Sequence, residues 1–127
     1  MIWTAAFALL TLAQVAPPPH VANSAEAPAM RLHVGDTGIR CVRMPCPSRG
    51  VYEPDDAGNA DRNALLYADL DGRAGPPPMI GDPAALRTIA EAWGEFGCVE
   101  IDGRLIPGEE DRPVLRVDEV IGQCMGL

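Results

Sequence analysis

Cys98-Val99-Glu100-Ile101-Asp102-Gly103-Arg104-Leu105-Ile106 is followed by a turn-like Pro107-Gly108-Glu109-Glu110-Asp111-Arg112-Pro113. Val114-Leu115-Arg116-Val117-Asp118-Glu119-Val120-Ile121 comes next, and how these segments pair decides the fold. Val99, Ile101 and Leu105 are apolar at alternate positions and Gly103 keeps their phase, the period of a half-buried strand. A hairpin centred on Asp111 pairs residues whose numbers sum to 222. Ile101 then faces Ile121 and Leu105 faces Val117 on one side, while Arg104 meets Asp118 on the other as a favourable cross-strand charge pair. Glu100 meets Gly122, and Cys98 stands directly opposite Cys124. A slip by one residue would mix the two faces and part the cysteines. A tight turn at Asp102-Gly103 is the competing parse, but its arms would be only about four residues long.

Upstream of the hairpin the sequence spells one helix, expected over about 83–96. Asp82 is a good N-cap, Pro83 occupies the first position where a missing N–H costs nothing, and Gly97 can take the left-handed conformation at the far end. Leu86, Ile89, Trp93 and Phe96 recur at helical spacing and form a core stripe. Before it, Leu32, Val34, Ile39 and Cys41 flank Gly35-Asp36-Thr37-Gly38, either one strand with a bulge or two strands joined by a turn. Gly50-Val51-Tyr52-Glu53 and Ala64 to Leu70 read as short strands, with a polar loop from Asp55 to Asp61 between them. Gly75-Pro76-Pro77-Pro78 argues against regular structure.

Strands, one helix, then a closing hairpin is an order that resembles the oligonucleotide/oligosaccharide-binding (OB) barrel, whose helix sits between the third and fourth strands. The resemblance covers roughly Met30 to Cys124 and implies a mainly β domain with a small OB-like five-stranded barrel. A compact two-layer α+β sheet is the alternative. Members of that fold often hold single strands on exposed aromatic and basic residues, which this chain lacks, and fold alone does not carry function.

The opening residues point to export. Ile2 to Ala13 is an uncharged apolar run, shorter than the roughly 20 residues a membrane-spanning helix needs, and Thr11-Leu12-Ala13 offers a small-residue cleavage site. No Lys or Arg precedes the run, which is atypical of a signal. We expect a signal peptide over 1–13, a Pro/Ala-rich linker over 14–29 and one folded domain over 30–127, periplasmic or secreted and with no stable membrane anchor after cleavage. The net charge of −8 repels phosphate backbones and anionic headgroups, so nucleic acid is not an expected partner.

Four cysteines in a small exported domain imply a disulfide framework. The hairpin register selects Cys98 with Cys124 and leaves Cys41 with Cys46. In Cys41-Val42-Arg43-Met44-Pro45-Cys46-Pro47, both prolines push their predecessors toward extended backbone. No helix N-terminus can therefore lower a thiol pKa there as in a dithiol redox centre. The alternative is a soft copper(I) site from Cys41, Met44, Cys46 and His33; zinc lacks the paired ligand spacing it needs. The acidic loop misses the positions an EF-hand requires. His33 is the one imidazole available to the domain as a base, and Ser48 lacks a nucleophile-elbow context. Neither a catalytic constellation nor a cofactor site is read. The expectation is a non-enzymatic exported domain, structural or binding a protein or glycan through the surface of Arg40, Arg43, Met44, Arg49 and Tyr52.

Overall fold

The structure, a computed structural model, describes residues 27–70 and 75–125. The expected signal and positions 14–26 of the expected linker lie outside them. In chain order come β1 (Met30–Asp36), β2 (Arg49–Tyr52), β3 (Tyr67–Asp69), β4 (Met79–Ile80), α1 (Pro83–Gly94), β5 (Cys98–Ile106) and β6 (Val114–Gln123). All six strands join one sheet in the order β3-β2-β1-β5-β6-β4. It curls into a half-barrel, mainly β with one helix ahead of the C-terminal strands, and the OB-like description fits it. The sheet has six strands rather than five. The addition is β4, two residues after the proline run, which pairs parallel with β6 at the sheet edge. Proline is tolerated at such an edge, and the Leu115 N–H donates to the Pro78 carbonyl at 2.8 Å.

Alternation along β1 sets the two faces of the sheet. Leu32 and Val34 point toward α1 and lie opposite Ile101 and Val99 of β5. With Val51, Ile89, Trp93, Leu115 and Val117 they make one buried apolar cluster. Each such side chain stabilises the fold by about 1.5–3 kcal/mol relative to exposure. Arg31, His33 and Gly35 turn to the other face, opposite Asp102, Glu100 and Cys98. Gly35 is required there: its φ is 129°, and a Cβ would collide with the Gly97 carbonyl oxygen. The same oxygen accepts the Asp36 N–H at 2.9 Å, tying the end of β1 to the helix exit. The Gly38–Cys41 stretch is not a strand, so β1 is single.

The closing hairpin forms, with a register that changes along its length. Val99 pairs with Gln123 and Glu100 with Gly122, as the sum of 222 requires, and Cys98 is bonded to Cys124. Beyond that end, two bulges shift the pairing. Ile101 meets Val120 instead of Ile121, Leu105 meets Leu115 instead of Val117, and Arg104 meets Arg116 instead of Asp118. Ile121 and Asp118 are the extra residues on β6, because each bulge sets two residues against one. Ile121 is accordingly exposed, and Val120 packs on the core in its place. The facing arginines are tolerated because each leaves the pair. Arg104 donates to the Pro28 carbonyl at 3.0 Å, and Arg116 donates to the Ala27 carbonyl at 2.7 Å while pairing with Asp118. The last residues of the expected linker are thereby held to the sheet.

The helix starts as expected: the Asp82 carboxylate accepts the Ala85 N–H and Pro83 is the first helical residue. It ends at Gly94, and the left-handed residue is Phe96 (φ 56°) instead of Gly97. Gly97 N–H donates to Ala92 O at 2.8 Å and Phe96 N–H to Trp93 O at 3.4 Å, the paired bonds of a Schellman ending. Phe96 accepts this conformation while its ring lies 4.5 Å from the Arg49 guanidinium, a contact worth about 0.5–2 kcal/mol.

Candidate functional site

The loop that leaves β1 and returns to β2 is closed at its base and stapled at its tip. Thr37 N–H donates to Ser48 O at 2.9 Å, the Thr37 hydroxyl donates to Pro47 O at 2.6 Å, and Gly38 N–H donates to Asp36 Oδ1 at 2.9 Å. Cys41 is bonded to Cys46 with their Cα atoms 5.7 Å apart. Cys46 is buried and its N–H donates to Leu70 O at 3.3 Å, which fastens the staple to the body of the domain. The bond spans six residues, and in the chain-entropy account such a loop contributes about 2 kcal/mol.

What the staple presents is apolar at the tip and cationic at the flanks. Val42 is fully exposed at 102 % and Met44 is 66 % exposed. Arg40, Arg43 and Arg62 line a groove of about 550 Å³ beside the disulfide, together with Pro45 and Pro47. Arg40 forks onto Asp36 at 3.0 Å through both terminal nitrogens. Burial pushes the Asp36 carboxyl up, but the Arg40 fork, the Gly38 N–H and the Arg40 charge outweigh it and hold the group below its ordinary value. Arg62 reaches in from a separate turn and donates to Cys41 Sγ at 2.9 Å, a weak acceptor that leaves most of the guanidinium's donors free. Arg43 makes no hydrogen bond or ion pair with any described residue. Arg62 was not recognisable from sequence as a neighbour of this loop; its position 21 residues away carries no signal.

Arg49 and Tyr52, expected on this surface, face inward. β2 begins at Arg49, which puts Arg49 in phase with Val51 on the helix side of the sheet. There Arg49 donates to Asp69 Oδ2 and to the Trp93 carbonyl, each at 3.1 Å, beneath the rings of Trp93 and Phe96. Both charges of the Arg49–Asp69 pair are buried. Tyr52 is 1 % exposed and lies on the opposite face against His33. Of the residues expected on this surface, Arg40, Arg43 and Met44 are exposed on the loop, and Val42 and Arg62 lie beside them.

His33 belongs to a different part of the molecule from the loop cysteines. Glu100 Oε2 lies 2.8 Å from its Nε2, and the Tyr52 hydroxyl lies 3.3 Å from Nδ1. That hydroxyl is also within 3.7 Å of Cys98 Sγ. Arg31 completes the row, donating to Glu100 at 2.7 Å and to Asp102 at 2.8 Å. The His33 hydrogen bond, with Arg31 beside it, holds the Glu100 carboxyl below its ordinary value against the opposing effect of burial. Burial, with the Asp36 and Asp55 charges behind it, pushes the Tyr52 phenol up to about 12. With both ring nitrogens near hydrogen-bonding partners and 1 % of its surface exposed, His33 acts as a clamp across β1, β2 and β5.

The same geometry dissolves the copper ligand set read from sequence. Cys41 and Cys46 are bonded to each other, and His33 packs beside the Cys98–Cys124 bond instead. Although donor atoms of His33, Cys98 and Cys124 lie within 4.8 Å of one another, the two sulfurs are joined and are not open thiolates. The acidic loop is closed on itself, since Asp55 Oδ1 accepts the N–H groups of Ala57 and Asn59 at 3.0 and 2.8 Å.

Comparisons of the chain with protein-family models, with curated proteins and with solved structures found no match.

Proposed function

We propose that this protein is an exported, non-catalytic binding domain that meets a protein or glycan partner through the Cys41–Cys46 loop. The observation that carries this reading is the placement of Val42 and Met44, two fully or largely exposed apolar side chains, on a short segment held rigid by a disulfide. Single exposed apolar residues are ordinary. Two of them on one stapled tip, flanked by arginines in an acidic chain, form an amphipathic contact whose ordering entropy is met before binding. Two disulfides among the described residues suit an oxidising compartment, which supports a periplasmic or secreted location. No helix among those residues is long and apolar enough to cross a membrane.

The test is site-specific photo-cross-linking in the producing cell. A photoreactive side chain at position 42 is expected to give one discrete adduct, while the same group at Thr88, exposed on the helix, gives none. Equal labelling from both positions, or no adduct from position 42, would remove the loop as a docking surface.

A further inference from the structure

We infer that the partner segment received by this loop is an acidic peptide carrying an apolar side chain, an inference that rests on the loop being the docking surface. All ten cations of the chain are arginines, with no lysine, set against 18 carboxylates. Among the described residues, Arg31, Arg40, Arg49 and Arg116 hold carboxylates of their own chain. At the groove, Arg43 has no hydrogen-bond or ion-pair partner among the described residues, and Arg62 meets only a disulfide sulfur there. Two guanidiniums without a carboxylate thus converge on one concavity, with Arg40 as a third wall.

A guanidinium is a planar fork that matches a carboxylate bidentately. Val42, Pro45 and Pro47 line the groove and Met44 is exposed on the same stapled loop, so the complement is a segment that pairs carboxylates with at least one oily side chain. A sugar finds less to hold: among the described residues no aromatic ring lines the groove, and Tyr52 and Trp93 are buried elsewhere. The net charge of −8 opposes an acidic partner at long range. At physiological salt, charges more than about 8 Å away are largely screened, and the arginines at contact distance decide the outcome.

Fluorescence anisotropy on the full domain tests this with a fluorescein-labelled peptide of the pattern Asp-Glu-Leu-Asp-Glu. Controls are its Asn/Gln counterpart, the same peptide with Ser for Leu, and an oligogalacturonate of equal charge. The acidic peptide is expected to bind, the Asn/Gln and Ser peptides to bind at least tenfold more weakly, and the uronate not to compete. Arg43→Glu with Arg62→Glu is expected to weaken binding by tenfold or more, and Arg43→Lys by several-fold because the fork is lost. Arg87→Glu, the same charge change on the exposed helix, should leave it unaltered. Arg43→Gln serves if the double variant fails to fold, because Arg43 holds no hydrogen bond or ion pair among the described residues. Binding of the uronate in preference to the peptide, no binding of either, or peptide binding indifferent to Arg43 and Arg62 would overturn the inference. A position-42 adduct obtained alongside any of these results would leave the docking surface standing with a partner of different chemistry.

Discussion

Replacing both members of the hairpin disulfide, as Cys98→Ser with Cys124→Ser, isolates what holds the C-terminal strand in place. The bond closes 26 residues of sequence separation, and constraint of the unfolded chain for a loop of that length is worth about 3.5 kcal/mol. The neighbouring structure offers little to replace it. From Ile121 to Gln123 every residue of β6 is exposed, and the apolar contacts of that strand stop at Val120. The backbone bond from Cys124 N–H to Cys98 O at 3.1 Å should therefore open with the sulfurs. Against a typical domain stability of about 5–15 kcal/mol, a loss of about 3.5 kcal/mol is a large share. Urea unfolding of the oxidised domain and the double variant, each fitted with its own slope, measures it. Amide exchange should show Gln123 and Cys124 deprotected, with Ile101, Leu115 and Val117 still protected. A loss under about 1 kcal/mol would mean that strand pairing alone holds this end, and the staple argument would be wrong.

Asp69→Asn leaves Arg49 buried against a neutral group and should cost about 3–5 kcal/mol in urea unfolding; a cost below 1 kcal/mol would show that the Trp93 carbonyl and the two rings suffice. Because the Tyr52 phenol stands near 12 in the fold and near 10 unfolded, its stabilisation is complete below about pH 10 and is lost as pH rises toward 12. Unfolding at pH 9 and 11 should show the wild type losing about 1 kcal/mol more than Tyr52→Phe over that interval, and equal losses would contradict the burial of the phenol. The Glu100 carboxyl is held low, so its contribution is present above the unfolded value near 4.3 and fades as pH falls through the lower folded one; Glu100→Gln should flatten that acid limb. At the left-handed helix end, Phe96→Gly should be about 1 kcal/mol more stable than Phe96→Ala, since only glycine adopts that conformation freely.

The apolar alternation of β5 and the facing cysteines made the hairpin and its open end readable from sequence. The bulges were not, because the two residues they add to β6, Ile121 and Asp118, are of types that an unbroken strand also carries. Since the two shifts sum to two, Leu115 and Val117 keep the faces alternation assigns them although their partners differ. β4 left no pattern, being two residues held by β6. At the loop, the cysteines and Arg43 could be found by reading along the chain. Arg62 joins them only through the fold; Arg49 leaves because β2 begins one residue earlier than its apolar run suggested, and Tyr52 leaves because β1 pairs beside it and sets His33 against its ring. Phe96 took the place expected of Gly97 because its ring has Arg49 to cover.

Everything proposed for the loop and the hairpin depends on how the four sulfurs are joined, and peptide mapping of the unreduced protein by mass spectrometry reads that directly. Trypsin cleaves after Arg40, Arg43 and Arg49 and so separates Cys41 from Cys46. The expected products are peptide 41–43 linked to 44–49, and peptide 88–104 linked to 117–127. Free thiols at 41 and 46, or either of these cysteines linked to 98 or 124, would contradict the account.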